Sequence, residues 1–147
     1  MQASNQPVLR DIVLIGGGHS HVGVIRMFGM QKWPGVRLTV ICTDTHTPYS
    51  GMLPGWVAGH YPIDACAIRL DMLAARASVA FHETAGLGLD LESQTVRCAD
   101  GSLMPFDTLS IDTGPMPALA HLPGSAEHAL PVRPIEQFIA AWPALVP

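Results

Sequence analysis

Between residues 11 and 28 the sequence runs DIVLIGGGHSHVGVIRMF: an apolar stretch stops at three glycines and resumes with a different period. Ile12, Val13, Leu14 and Ile15 are too few for a helix and apolar on successive positions, as a strand buried on both faces requires. From His19 the apolar residues fall at Val22, Ile25 and Phe28, the drift of a helix face packed on a sheet. The expectation is therefore strand, tight turn, helix. In such a unit a first glycine permits the sharp turn and a further one lets backbone approach a pyrophosphate. The helix N-terminus, with unpaired N–H groups and roughly half a positive charge, faces the anion. That chemistry asks for absent side chains at Gly16 and Gly18.

Two positions depart from the usual fingerprint. A glycine or alanine is expected where this chain has His21, because helix and strand pack closely there. Either the helix stands off or His21 turns toward the ligand. The second strand follows the Trp33-Pro34-Gly35 break as Val36, Leu38, Val40 and Ile41, and it ends on Cys42 rather than on the acid expected about 20 residues after the glycines. Asp44 comes two residues later. It either binds a ribose hydroxyl or is an ordinary loop aspartate.

At 147 residues the chain has the size of one domain. Charged residues make up 14% and the formal net charge is −4, which argues against an electrostatic nucleic-acid or anionic-membrane binder. No apolar run approaches the roughly 20 residues needed to span a bilayer, and MQASNQPVLR is not a signal peptide, so a soluble, cytoplasmic protein is expected. Cys42, Cys66 and Cys98 are widely spaced with no CxxC and read as small buried hydrophobes. His19 and His21 form an HxH pair, but i and i+2 at a helix start point apart, so no metal site is expected. GxSxG, HExxH and a lysine-bearing phosphate loop are all missing.

Further along, TDTHTPYSGMLPGWVAGHYP (43–62) is a long loop whose Met52, Leu53, Trp56 and Val57 are too apolar for solvent. A ligand or another part of the protein should cover them. AIRLDMLAARA (67–77) reads as a second helix, and Val79 to His82 as a third strand. From Leu87 to Phe106 short segments punctuated by Ala99-Asp100-Gly101 predict an antiparallel meander inserted in an otherwise parallel sheet. FDTLSIDTGPMP (106–117) supplies another strand ending in Thr113-Gly114. The expected fold class is α/β, a Rossmann-like three-layer arrangement.

The order GGGHSHV, TPYSGMLPG with AGHY, a meander, then MPFDTLSIDTG resembles the FAD-binding half of the two-dinucleotide-domain flavoproteins. Within them it resembles the type II NADH dehydrogenase-like branch of the pyridine nucleotide-disulfide oxidoreductases, and it is most similar to the flavoprotein domain associated with selenide, water dikinase. The resemblance implies FAD as cofactor and NAD(P)H as co-substrate of a longer protein. Gly16, Gly17 and Gly18 would approach the FAD pyrophosphate with His19, Ser20 and His21 beside it, and Asp44 is the nearest substitute for the ribose acid. Ser50, Gly51, Met52 and Leu53 match the loop along the cofactor. Thr113 and Gly114 match the close of the first FAD segment, although each of these positions also has a plain structural reading.

The CxxxxC redox pair of the disulfide reductases has no counterpart in HTPYSGM, so electrons would leave the flavin directly for an acceptor such as a quinone. No side chain takes a catalytic role from the sequence. Residues 1–117 are expected to be the first segment of an FAD-binding domain. Residues 118–147 then form a linker and helix leading toward a nicotinamide domain, with the chain an inactive fragment that self-associates through an uncovered strand edge. The competing expectation is a dinucleotide-binding module that holds NAD or an adenine nucleotide without redox chemistry.

Overall fold

The computed structural model describes residues 7, 9–31, 33–115 and 122–145. The apolar run extends into β1 (Arg10–Ile15), and α1 (His19–Met30) begins directly after the glycines. β2 spans Val36–Cys42. β3 (His46–Pro48) pairs with β4 (Ala67–Arg69) as a two-stranded sheet. The helix expected over 67–77 is thus shorter than the sequence indicates: α3 covers Leu70–Ala77. Its first turn is held by Arg69, whose Nη2 lies 2.6 Å from the Asp71 carboxylate; that hydrogen bond lowers the Asp71 carboxyl to about 2.

β5 (Ala80–Glu83) leads into the meander, β6 (Gly86–Asp90), β7 (Thr95–Cys98) and β8 (Leu103–Pro105), paired antiparallel in that order. The Ala99-Asp100-Gly101 turn lies between β7 and β8, as its composition indicates. β9 is Thr108–Ile111. The main sheet has the order β5-β2-β1-β9, and every pair in it is parallel.

Alternation along the strands sorts the core into two layers. Leu14, Leu38 and Val40 pack with Ile25 of α1 and with Leu70 and Ala74 of α3. Val13, Ile15 and Ile41 point the other way, onto Val96 and Cys98 of the meander. Both faces of the sheet are covered, which is why these strands read as unbroken apolar runs. Burying a side chain such as Leu14 or Ile41 contributes roughly 1.5–3 kcal/mol. The arrangement is the three-layer α/β fold that the sequence leads one to expect.

The chain divides into two compact units, 1–47 with 67–113, and 48–66 with 114–147. The first holds the main sheet and the meander. In the second, a 3-10 turn (Ser50–Met52) runs into α2 (Leu53–Val57), and the later segment supplies α4 (Ser125–His128) and α5 (Ile135–Ala141). Trp56 of α2 meets Phe138 edge-on at 6.2 Å and Trp142 at 6.3 Å. The chain's own aromatic residues therefore pack against Trp56 of the 43–62 loop. The expected boundary between 117 and 118 falls in 116–121, outside the described residues. Among the described residues no helix is long and apolar enough to cross a membrane.

Candidate functional site

In a parallel sheet all strands end on one edge, and a crevice opens where successive connections leave in opposite directions. Here β1 has β2 on one side and β9 on the other. The Gly16–Gly18 turn leaves the end of β1 at that switch point. Its backbone is tied to both neighbours: Gly16 N–H donates to Ile41 O at 2.8 Å, and Gly18 N–H to Asp112 O at 3.2 Å. Asp112 N–H in turn donates to Ile15 O at 2.8 Å. Thr47 hydroxyl reaches the Gly17 carbonyl at 2.6 Å. The turn is a fixed object.

The glycines are required for packing. Gly16 has φ +94°, and a Cβ there would run into the Asp112 carbonyl. At Gly17 a Cβ would meet the Leu70 side chain at 2.9 Å and Cys42 Sγ at 3.2 Å. At Gly18 it would overlap the Asp112 carboxylate. The missing side chains at Gly16 and Gly18 thus make room for the end of β9 before they make room for any ligand.

Sequence alone does not single out Asp112. The fingerprint asks for an acid at the end of β2, whereas the sheet order brings the end of β9 against the turn. Its Oδ2 accepts from Ser20 N–H at 3.1 Å, in the first turn of α1. That turn contains no acidic residue, and Gly18 supplies no side-chain cap, so Asp112 takes the part of an N-cap acceptor from a distant strand.

His21 does not turn toward an open ligand site. The ring is 1% exposed and turned beneath the turn, with Nδ1 2.8 Å from Gly16 O and Nε2 2.9 Å from Ser110 Oγ. A carbonyl can only accept, so Nδ1 carries a proton; on a neutral ring the Ser110 hydroxyl donates to Nε2. The side chain is not offered outward. His19 and Ser20 are exposed at the helix start. Asp44 is exposed past β2 and accepts from the Thr43 hydroxyl at 2.9 Å. Thr113, also exposed, follows Asp112 at the end of β9.

The second unit carries the other residues that the sequence singled out. Leu53 is buried, Met52 is half-buried with its carbonyl held by the Tyr61 hydroxyl at 2.7 Å, and Gly51 lies against the Tyr49 ring. Ser50 and Leu53 line a cleft of about 270 Å³ with Pro54, Val57, Val132, Arg133, Ile135 and Phe138. The lining is apolar apart from the Ser50 hydroxyl and the Arg133 guanidinium. Gly114 has φ +79°.

No family model matches the sequence. Searched against solved structures, the chain superposes on the sulfide:quinone oxidoreductase of Aquifex aeolicus with a TM-score of 0.76 at 20% identity, over 92% of this chain and 31% of that one. It superposes on NDH2 of Plasmodium falciparum, solved with NADH, at 0.71 and 14% identity, over 89% and 27%. The NAD-dependent persulfide reductase of A. fulgidus gives 0.67 at 21% identity, over 91% and 28%. The fold is the one that these three oxidoreductases share over this segment. A curated relative with 32% identity over 114 residues is the NADH-dependent phenylglyoxylate dehydrogenase subunit epsilon of Aromatoleum evansii. The match covers 76% of this chain and 27% of that protein. The chain therefore spans less than a third of the length of each of these proteins.

Proposed function

We propose that this chain is the FAD-binding portion of an NAD(P)H-dependent flavoprotein oxidoreductase of the NADH dehydrogenase-like kind. The observation that carries the reading is the position of the glycine turn, at the N-terminus of α1 and at the switch point between β1 and β9. The oxidoreductases with this fold and the NADH-dependent dehydrogenase subunit support it. FAD, when bound, supplies the redox chemistry by accepting a hydride from reduced nicotinamide and passing electrons on.

The protein's own contribution is orientation. The first turn of α1 presents N–H groups without intrahelical partners to the pyrophosphate. Asp112 engages the one on Ser20 and fixes the direction of the helix end. His21 holds the Gly16 carbonyl and Thr47 the Gly17 carbonyl, which fixes the shape of the turn. Asp44 is the acid available to a ribose hydroxyl, and Ser50 to Leu53 are the segment along the cofactor. Residues 1–117 form the first FAD segment, and 118–147 lead toward a nicotinamide domain.

The test is a purified polypeptide containing this chain, read by absorbance and by calorimetric titration with FAD, NAD⁺ and ADP. Flavin absorbance and a preference for FAD are expected. A colourless protein that binds NAD⁺ but not FAD would overturn the reading in favour of a non-redox module.

Self-association belongs to the same proposal. Among the described residues β9 is an edge strand of the main sheet, Ile111 on it is 57% exposed, and Leu87 and Leu103 of the meander are 69% and 64% exposed. An open edge beside apolar surface favours pairing between copies. Multi-angle light scattering should show a mass that rises with concentration. A constant monomer mass counts against it.

A further inference from the structure

Away from the glycine turn, three unlike donor atoms converge on the meander side of the sheet. His82 nitrogen, Cys98 Sγ and an Asp100 carboxylate oxygen all lie within 4.8 Å of one another. Two elements bring them there. β5 carries His82 beside Ile41 of β2. β7 ends at Cys98, where the chain reverses: Gly101 N–H donates to Cys98 O at 3.1 Å, and Cys98 N–H to Ser102 O at 3.0 Å. Ser102 then orients the carboxylate, its backbone N–H and hydroxyl donating to Asp100 Oδ1 at 3.0 and 2.8 Å. The other oxygen, Oδ2, is left 3.0 Å from His82 Nε2, which also lies 3.0 Å from the Ser102 hydroxyl, so a bound ion replaces both of these contacts at Nε2.

We propose that His82, Cys98 and Asp100 are the protein ligands of a divalent transition-metal site of the zinc class. Thiolate, imidazole and carboxylate together suit zinc, whereas magnesium and calcium select oxygen donors. Three protein ligands leave a fourth position for water. His82 and Asp100 side chains are 33% and 45% exposed, so the site has a solvent entrance, while Cys98 is only 5% exposed and forms its floor. Metal–ligand distances of roughly 2.0–2.3 Å require the exposed pair to draw inward by small side-chain rotations. On binding, Cys98 gives up its thiol proton and His82 Nε2 any proton it carries, both to solvent. The bound ion ties the 98–101 turn to β5 and so fixes the meander against the sheet.

Sequence spacing concealed the site, because His82 is 16 residues from Cys98 and no CxxC is present. A hydrogen-bonded cluster of His82, Ser102 and Asp100 beside a core thiol accounts for the same residues without a metal, and the experiment separates the two. Cobalt(II) is titrated into the purified chain as a spectroscopic probe. A near-ultraviolet thiolate-to-cobalt band with visible bands of four-coordinate intensity is expected, saturating at a single equivalent and displaced by zinc. Cys98→Ser removes the charge-transfer band, while His82→Ala and Asp100→Ala, both at solvent-facing side chains, weaken cobalt affinity by about tenfold or more. Cys42→Ala and Cys66→Ala keep the band. Absence of the band in the unaltered protein, its survival in Cys98→Ser, or unchanged affinity in both His82→Ala and Asp100→Ala overturns the site. None of these readouts depends on flavin binding.

Discussion

Gly16→Ala should destabilise the sheet-bearing unit by about 3–5 kcal/mol, and Gly16→Val should leave little folded protein. Two costs add at this position. The backbone is at φ +94°, in the region that an L side chain enters at roughly 1–2 kcal/mol. Any Cβ also meets the backbone carbonyl of Asp112, and this carbonyl cannot retreat. It accepts from Gly18 N–H while Asp112 N–H holds Ile15 O, so relief would unzip β9 from β1. Gly101 separates the two costs. It lies in the same unit at φ +85°, with nothing within 4 Å of its Cβ position, so Gly101→Ala should cost only the backbone part. Urea denaturation of both variants measures the difference. Equal midpoints would mean that the close approach of β9 to the turn is not energetically real. Net stabilities are only about 5–15 kcal/mol, so the larger loss should also appear as poor soluble yield.

The same contact shows where sequence reasoning could reach and where it stopped. Strand, turn and helix over 10–30 were legible because burial on two faces, glycine and a 3.6 period are local signals. So was the meander, announced by Ala99-Asp100-Gly101. Residues 67–69 read as helix in the sequence because a three-residue strand has no period of its own; it exists through pairing with His46–Pro48. Asp112 and Ser110 were invisible as partners of the glycine turn. They stand about 90 residues away, and only the parallel placement of β9 beside β1 brings them in. The convergence of His82 with Cys98 and Asp100 is likewise a product of strand pairing. What sequence conveys poorly is which distant residue fills the space that a glycine leaves.

His21→Leu should cost about 2–4 kcal/mol and, under the proposed function, lower affinity for FAD, although the replacement is apolar and of similar bulk. In a fingerprint that expects a small residue at this place, a buried imidazole is an anomaly, and its two hydrogen bonds explain it. Leucine leaves the part-buried Gly16 carbonyl without its donor, and it also releases Ser110. Ser110→Ala alone should cost nearer 1 kcal/mol, because Ser110 lies on the exposed edge strand and its loss leaves the Gly16 bond in place. The double variant should be less damaging than the sum of the two, since the Nε2–Ser110 bond can be lost only once. Chemical denaturation of the four proteins gives the cycle, and titration with FAD gives the functional readout. If His21 only fills space, His21→Leu will match the parent in both. If it holds the turn, stability and affinity will fall together, and His21→Gly, which restores the usual fingerprint residue, will be worse still. Glycine opens a cavity beneath Gly16 that this chain, unlike one built around a small residue there, has no side chain to fill.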